Sequence, residues 1–120
     1  MSILSRFATK EPAVCAVCRR HAEGLAYAPR ADQPMIWLCD HPDCHSLARK
    51  VYRMPEAKLD LYEHAAAQKA GEQVGAYLDS LNKTDLAVLT EAEWQEMLRL
   101  FYTGFEQELR RKLLANEAPF

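Results

Sequence analysis

Four cysteines in two close pairs, Cys15/Cys18 and Cys39/Cys44, constrain this chain more than any other feature. They lie within 30 residues of a 120-residue protein that has no other cysteine. A Cys-x2-Cys knuckle, a 20-residue spacer and a second pair is the layout of a structural zinc site, where four donors converge about 2.0–2.3 Å from one ion. The second pair is spaced Cys-x4-Cys and is interleaved with His41 and His45, so either imidazole competes with Cys44 for the fourth position. Two other readings exist: disulfides, and buried thiols packing as small hydrophobes. Two tight pairs in a chain without secretory features favour a metal, because paired cysteines in reducing compartments are more often ligands than bridges. The expected cofactor is Zn2+, held by Cys15, Cys18, Cys39 and Cys44.

A catalytic ion keeps an open position and an acid–base residue beside it. The zinc deaminases place His-x-Glu before Pro-Cys-x-x-Cys. Here His21-Ala22-Glu23 follows the knuckle, and Pro12 stands two residues too early. No His-Glu-x-x-His occurs. A structural ion is expected, and no enzymatic activity.

Pro55 divides the chain. Before it, the knuckle is followed by two short candidate strands, Leu25–Ala28 and Met35–Leu38, joined across Pro29 to Pro34. Cys39 leaves the second strand, and Cys44 falls in the first turn of a helix reaching about Met54, capped by Asp43 or Asp40. Knuckle, hairpin and ligand-bearing helix is the treble-clef order of parts. After it, with Pro55 at the first helical position, Leu59, Tyr62, Ala66, Ala70, Val74, Tyr77 and Leu81 recur at helical spacing. Gly71 and Gly75 would permit close approach of a neighbour. Lys83 to Leu89 reads as a turn with a short helix. Thr90-Glu91-Ala92-Glu93 is a capping box opening a helix whose stripe, Trp94, Met97, Leu98, Phe101, Tyr102, Phe105, Leu109 and Leu113, is expected to be core. The fold class expected is α+β, mainly α: a treble-clef-like zinc module over residues 12–54 and a helical hairpin over 55–115 packed on it.

The formal charge of −2 is uneven: residues 1–55 carry eight Lys/Arg against five Asp/Glu, and residues 56–120 carry seven against twelve. Bulk charge therefore gives no support to non-specific nucleic-acid binding, which relies on excess cations. A local patch is the route left open. On the module helix His45, Arg49 and Arg53 recur at i, i+4 and i+8 with Lys50 beside them, and Arg19, Arg20 and Arg30 come from the same module. These seven are the nucleic-acid-binding candidates. The bland alternative is a solvated helix face whose cations suit its C-terminal dipole. Leu100 and Leu114 lie off the last helix's stripe and are the expected exposed contacts, and His64 is expected in solvent. No run approaches the 18 apolar residues that span a bilayer, and Met1 to Phe7 lack a signal-peptide core. The expected location is the cytoplasm.

The run Trp37-Leu38-Cys39-Asp40-His41-Pro42-Asp43-Cys44, followed by Val51-Tyr52-Arg53-Met54-Pro55, resembles an uncharacterised family of small phage- and prophage-encoded proteins. Gly75-Ala76-Tyr77-Leu78, Lys83-Thr84-Asp85-Leu86-Ala87 and Leu89-Thr90-Glu91-Ala92-Glu93-Trp94 are similar to the same family, so the resemblance runs from about Pro12 to Leu113. It implies an origin in a bacterial host cell and a paired-cysteine module, but no activity. Small viral zinc proteins most often bind nucleic acid or a host protein. The leading expectation is therefore recognition of nucleic acid or its processing machinery; the second is an adaptor or inhibitor of a host protein working through the acidic helical half. Any part of the last helix's stripe left outside the core could bind a partner helix or make a homodimer, and a tight dimer without DNA affinity would favour the second reading.

Overall fold

The computed structural model describes residues 14–116; Pro12, the Met1–Phe7 segment and residues 117–120 lie outside them. In chain order the elements are strand β1 (Leu25–Tyr27), strand β2 (Ile36–Leu38), helix α1 (Pro42–Arg53), helix α2 (Glu56–Leu81), a 3-10 turn (Leu86–Val88) and helix α3 (Glu91–Ala115). The protein is mainly helical, with one two-stranded sheet.

The strands pair antiparallel in the register Leu25↔Leu38, Ala26↔Trp37 and Tyr27↔Ile36, one residue shorter at the turn side than the sequence suggests. In β2, Ile36 and Leu38 are buried while Trp37 is half-buried, the alternation of a strand with one face on a core. Gly24, at φ +81°, supplies the left-handed residue that turns the chain into β1.

α1 starts differently from expectation. Neither Asp40 nor Asp43 caps it. His41 is the N-cap, its Nδ1 accepting from the Asp43 amide at 3.1 Å, and Pro42 opens the first turn. An imidazole nitrogen serves as well as a carboxylate here because the orphan amide needs only an acceptor. Leu47, Ala48 and Val51 form the buried face and Met54 packs half-buried beside them.

Pro55 is the N-cap of α2 and not its first helical residue. α2 closes at Asn82, whose φ of 57° lets Asn82 and Lys83 donate back to the carbonyls of Asp79 and Leu78. α3 opens with the expected capping box: the Glu93 amide donates to Thr90 Oγ1 at 3.1 Å, and the Thr90 amide donates to Glu93 Oε1 at 2.9 Å. It ends at Asn116, φ 55°. There Lys50 of α1 donates to the Leu113 carbonyl at 2.5 Å and to the Asn116 side chain. The ammonium adds a charged donor to the Leu113 carbonyl, which also accepts from the Asn116 amide, at the negative end of the helix dipole.

α2 and α3 form an antiparallel hairpin. They pack tightly at Gly104, a position that the sequence pattern does not single out. Gly71 and Gly75, which it does, have nothing within 4 Å of where a β-carbon would stand.

One core runs through the molecule. Cys15, Val17, Ile36, Leu38, Leu47 and Val51 of the first half are continuous with Leu59, Tyr62, Ala66, Leu109 and Leu113 of the hairpin. The hairpin extends past this core. Leu59, Tyr62, Ala66 and Ala70 are buried in α2, but Val74, Tyr77 and Leu81 are only half-buried. The α3 stripe is likewise split, correcting the expectation of a continuous core face. Met97, Leu109 and Leu113 are buried and Phe105 is half-buried, whereas Trp94 (41%), Leu98 (42%), Phe101 (40%) and Tyr102 (44%) are exposed. Two helices cannot cover an apolar face this wide, and the layer that covers its lower part stops near Phe105. Leu114 is exposed as expected, Leu100 is half-buried, and His64 is exposed.

Candidate metal centre

The knuckle is closed by its own backbone. The Cys15 amide donates to the Arg20 carbonyl at 2.7 Å, and the Arg19 amide donates to the Cys15 carbonyl at 3.0 Å. Arg19 takes the left-handed conformation, φ 69°, that this tight return requires. The knuckle is then tied to β2: the Ala16 amide donates to the Trp37 carbonyl at 2.9 Å, and the Glu23 amide to the Leu38 carbonyl at 3.0 Å. Cys39 follows β2 directly, and Cys44 stands in the first turn of α1. Three elements thus bring four thiols to one point.

The four sulfurs lie within 4.8 Å of one another, and all four residues are buried. Cys18 Sγ and Cys39 Sγ are 3.8 Å apart, and the cysteines are free thiols. Ligands at about 2.3 Å from a tetrahedral centre stand roughly 3.8 Å apart. The donor set therefore fits a metal ion in size and chemistry.

The protons of the cluster are unevenly held. Hydrogen bonds from Cys18 and Cys44 draw the Cys15 thiol well below its ordinary pKa against the opposing effect of burial. The bond with Cys15 pushes Cys18 up to about 12, and bonds with Cys15 and Cys18, then burial, push Cys44 far up. Sharing of protons among Cys15, Cys18 and Cys44 thus favours the thiolate at Cys15, and a cation in the site would favour ionisation of the others.

Neither histidine rival joins the cluster. His41 caps α1, and its amide donates to Cys39 Sγ at 3.5 Å. His45 Nε2 lies 2.7 Å from the Cys39 carbonyl oxygen, so as a donor it braces the backbone that carries a ligand. His21 is exposed, and its backbone bridges to Val14.

Arg110 was not foreseen. It sits among the polar positions of α3, where periodicity assigns solvent, yet it is 8% exposed. Burial works against its charge, but its hydrogen bond to Glu106 (3.0 Å) and the nearby Cys18 and Cys44 sulfurs outweigh this and raise its pKa. The one legible signal was Glu106 four residues earlier, the spacing of a helical ion pair. Arg20 pairs with the same Glu106, and its guanidinium lies 4.5 Å from the centre of the Tyr102 ring. Two cations thus flank a cysteine cluster that carries net negative charge once it holds a divalent ion.

The seven basic candidates are not brought together. Arg20 is bound to α3 as described, Arg19 Nε lies 3.9 Å from Glu63 of α2, and Lys50 caps α3. These three join the cysteine module to the hairpin. Burial, and then Lys58, draw the Lys50 pKa below its ordinary value. His45, Arg49 and Arg53 are exposed on the outer face of α1. Arg30 reaches the same side, lining a shallow depression with Pro29, Gln33, Tyr52 and Arg53. Tyr52 holds that turn by donating to the Pro34 carbonyl at 2.6 Å and meeting Tyr27 edge to face. Arg30 also lies 3.9 Å from Asp32.

Fold and site together define a small, mainly helical protein with a buried four-cysteine cluster able to hold a metal ion. A family of unknown function, DUF6511, matches residues 57–120, and the chain belongs to it. The matched segment begins after the last cysteine, so it covers the helical hairpin and not the cluster. No curated protein and no solved structure matches the chain. No helix among the described residues is long and apolar enough to cross a membrane.

Proposed function

We propose that this is a phage- or prophage-encoded structural-zinc protein that recognises another protein through its helical hairpin. Residues 14–54 act as a treble-clef-like module in which Cys15, Cys18, Cys39 and Cys44 hold Zn2+. Four buried thiolates leave the ion no open position, which favours a structural over a catalytic role. The observation that carries the protein-binding reading is the uncovered stripe of Trp94, Leu98, Phe101 and Tyr102, with Leu86 (49%) and Val88 (55%) exposed at the adjoining turn. Contiguous exposed apolar surface of this kind marks interaction sites. The pairing of Arg19, Arg20 and Lys50 with the hairpin removes three of the cations that a phosphate-binding face would use.

Nucleic-acid recognition is the second reading. It is favoured by one observation, the exposed Arg49, Arg53 and His45 beside Arg30 on the outer side of α1.

The test compares the zinc-loaded wild type with Phe101→Glu and with Arg49→Ala/Arg53→Ala, each checked for metal content and helicity. On the protein-binding reading, partner capture from host extract is lost in Phe101→Glu and kept in the arginine variant. Salt-sensitive retention on DNA or RNA, lost only in the arginine variant, would reverse the order of the two readings.

A further inference from the structure

The half of the hairpin beyond the module lacks a layer. On α3, the face that Leu109 and Leu113 turn into the core continues upward as Phe105, Phe101, Leu98 and Trp94. On α2, the face that buries Leu59, Tyr62, Ala66 and Ala70 continues as Val74, Tyr77 and Leu81. Each helix keeps its apolar pattern past the end of the element that covers it. Beyond Ala70, α2 runs on for eleven residues, roughly 16 Å of helix, with its stripe only half-buried, and α3 runs alongside it.

We propose that a second copy of the same chain closes this face, so that two hairpins complete a four-helix layer. The inference rests on the protein-binding reading above and names its partner. Three observations support it. First, the side chains of Leu86, Val88, Trp94, Leu98, Phe101 and Tyr102 expose about 40–55% of their surface, roughly 500 Å² in all, so a symmetric pair would remove about 1,000 Å², the lower bound for a specific interface. Second, both helices present an apolar stripe, and antiparallel hairpins with such stripes pair about a two-fold axis into bundles. Third, two ion pairs on this half of the hairpin form within the chain: Lys83 with Glu93 at 2.6 Å and Arg99 with Glu96 at 2.6 Å. These four charges therefore offer an identical copy little opposition, while Asp79, Asp85 and Glu91 keep the same half acidic.

The experiment uses the full, metal-loaded chain. Light scattering and sedimentation velocity give its mass from micromolar to submillimolar concentration, and Trp94 emission is followed in a Trp37→Phe background over the same range. The expected result is a species of twice the 13.7 kDa chain mass, with Trp94 emission shifting to the blue as it forms. Leu98→Glu and Phe101→Glu, at exposed positions that leave the folded chain and its metal content intact, are expected to give single chains with unshifted emission. A single chain for the wild type at every concentration overturns the proposal. So does a dimer that survives both substitutions, because it would use another face. Partner capture by the same variants separates the two readings: a monomer whose host-protein binding is lost in Phe101→Glu retains the recognition surface and loses only the second copy as occupant. A monomer whose binding is indifferent to Phe101→Glu loses both.

Discussion

Gly104 of α3 meets Ala70 of α2 at the crossing of the hairpin: a β-carbon at position 104 would stand 3.3 Å from the Ala70 β-carbon and 3.0 Å from Gln73 Oε1. The exposed amide of Gln73 can move aside, whereas Ala70 is buried and fixed. Gly104→Ala therefore sets a few tenths of an ångström of displacement against the roughly 1 kcal/mol of helix propensity that alanine adds, and stability is expected to change little. Gly104→Leu has no room and should cost about 1–3 kcal/mol as an overpacked core does. Urea unfolding of the two variants checks this, and equal stability for both would remove the close crossing.

Gly104 also illustrates what a sequence leaves unread. The two long helices were legible because Leu59 to Leu81 and Trp94 to Leu113 keep a helical period over many turns, and the capping box at Thr90–Glu93 announced where α3 starts. The convergence of the four cysteines was legible from spacing alone, because a knuckle and a strand-to-helix turn are short enough to bring the thiols near one point. Periodicity says which face of a helix is apolar but not how far along a neighbour covers it. Hence Trp94, Leu98, Phe101 and Tyr102 were expected in a core that ends below them. The ion pairs of the knuckle arginines are illegible for a related reason. Nothing near Arg19 and Arg20 in the sequence points to Glu63 and Glu106, which the fold lays against them. Those pairings cross 44 and 86 residues of sequence, where no local pattern reaches.

Removing the metal should reach beyond the module. The cysteines share one core with Leu109 and Leu113, so a chelator is expected to release one ion per chain, disorder residues 14–54 and lower the unfolding midpoint of the hairpin, while α2 and α3 keep most of their helical signal. Cys44→Ser should behave the same way at neutral pH, because the free energy of binding a structural zinc ion, of order 10 kcal/mol, is also folding free energy in such modules. Native mass spectrometry and circular dichroism on one sample provide the check. Full metal content in Cys44→Ser would exclude Cys44 as a ligand.

Acid should weaken the start of α3. Hydrogen bonds from Lys83 and then from the Thr90 amide hold the Glu93 carboxyl below the ordinary glutamate range. A group whose folded pKa is depressed stabilises the fold above its unfolded value, about 4.3, and that contribution is lost as pH falls through the lower folded value. Glu93→Gln should therefore be less stable than wild type at neutral pH, with the gap closing in acid. Thr90→Ala removes the other half of the box, at a cost of about 1 kcal/mol. Acid also protonates thiolates, so thermal unfolding of variant and wild type is compared at each pH.

The basic residues divide into two groups that one pair of measurements separates. Arg20 is engaged with Glu106 and Tyr102, and Lys50 with the Leu113 carbonyl and the Asn116 side chain at the end of α3. Arg20→Ala and Lys50→Met should each lower stability, Lys50→Met by about 1–2 kcal/mol because a charged donor to a helix end is removed. Neither should change the salt dependence of any nucleic-acid binding by much. Arg49 and Arg53 face solvent without an ion-pair partner among the described residues. Their replacement by alanine should leave stability within about 0.5 kcal/mol. If α1 does lie on a phosphate backbone, the same replacement reduces the slope of log affinity against log salt by about one for each phosphate no longer neutralised. The measurements are urea unfolding and a salt titration of binding to a single-sequence duplex. A slope that responds to Arg20 but not to Arg53 would mean that the knuckle side chain leaves Glu106 to reach the ligand, and the knuckle would replace the outer face of α1 as the nucleic-acid candidate.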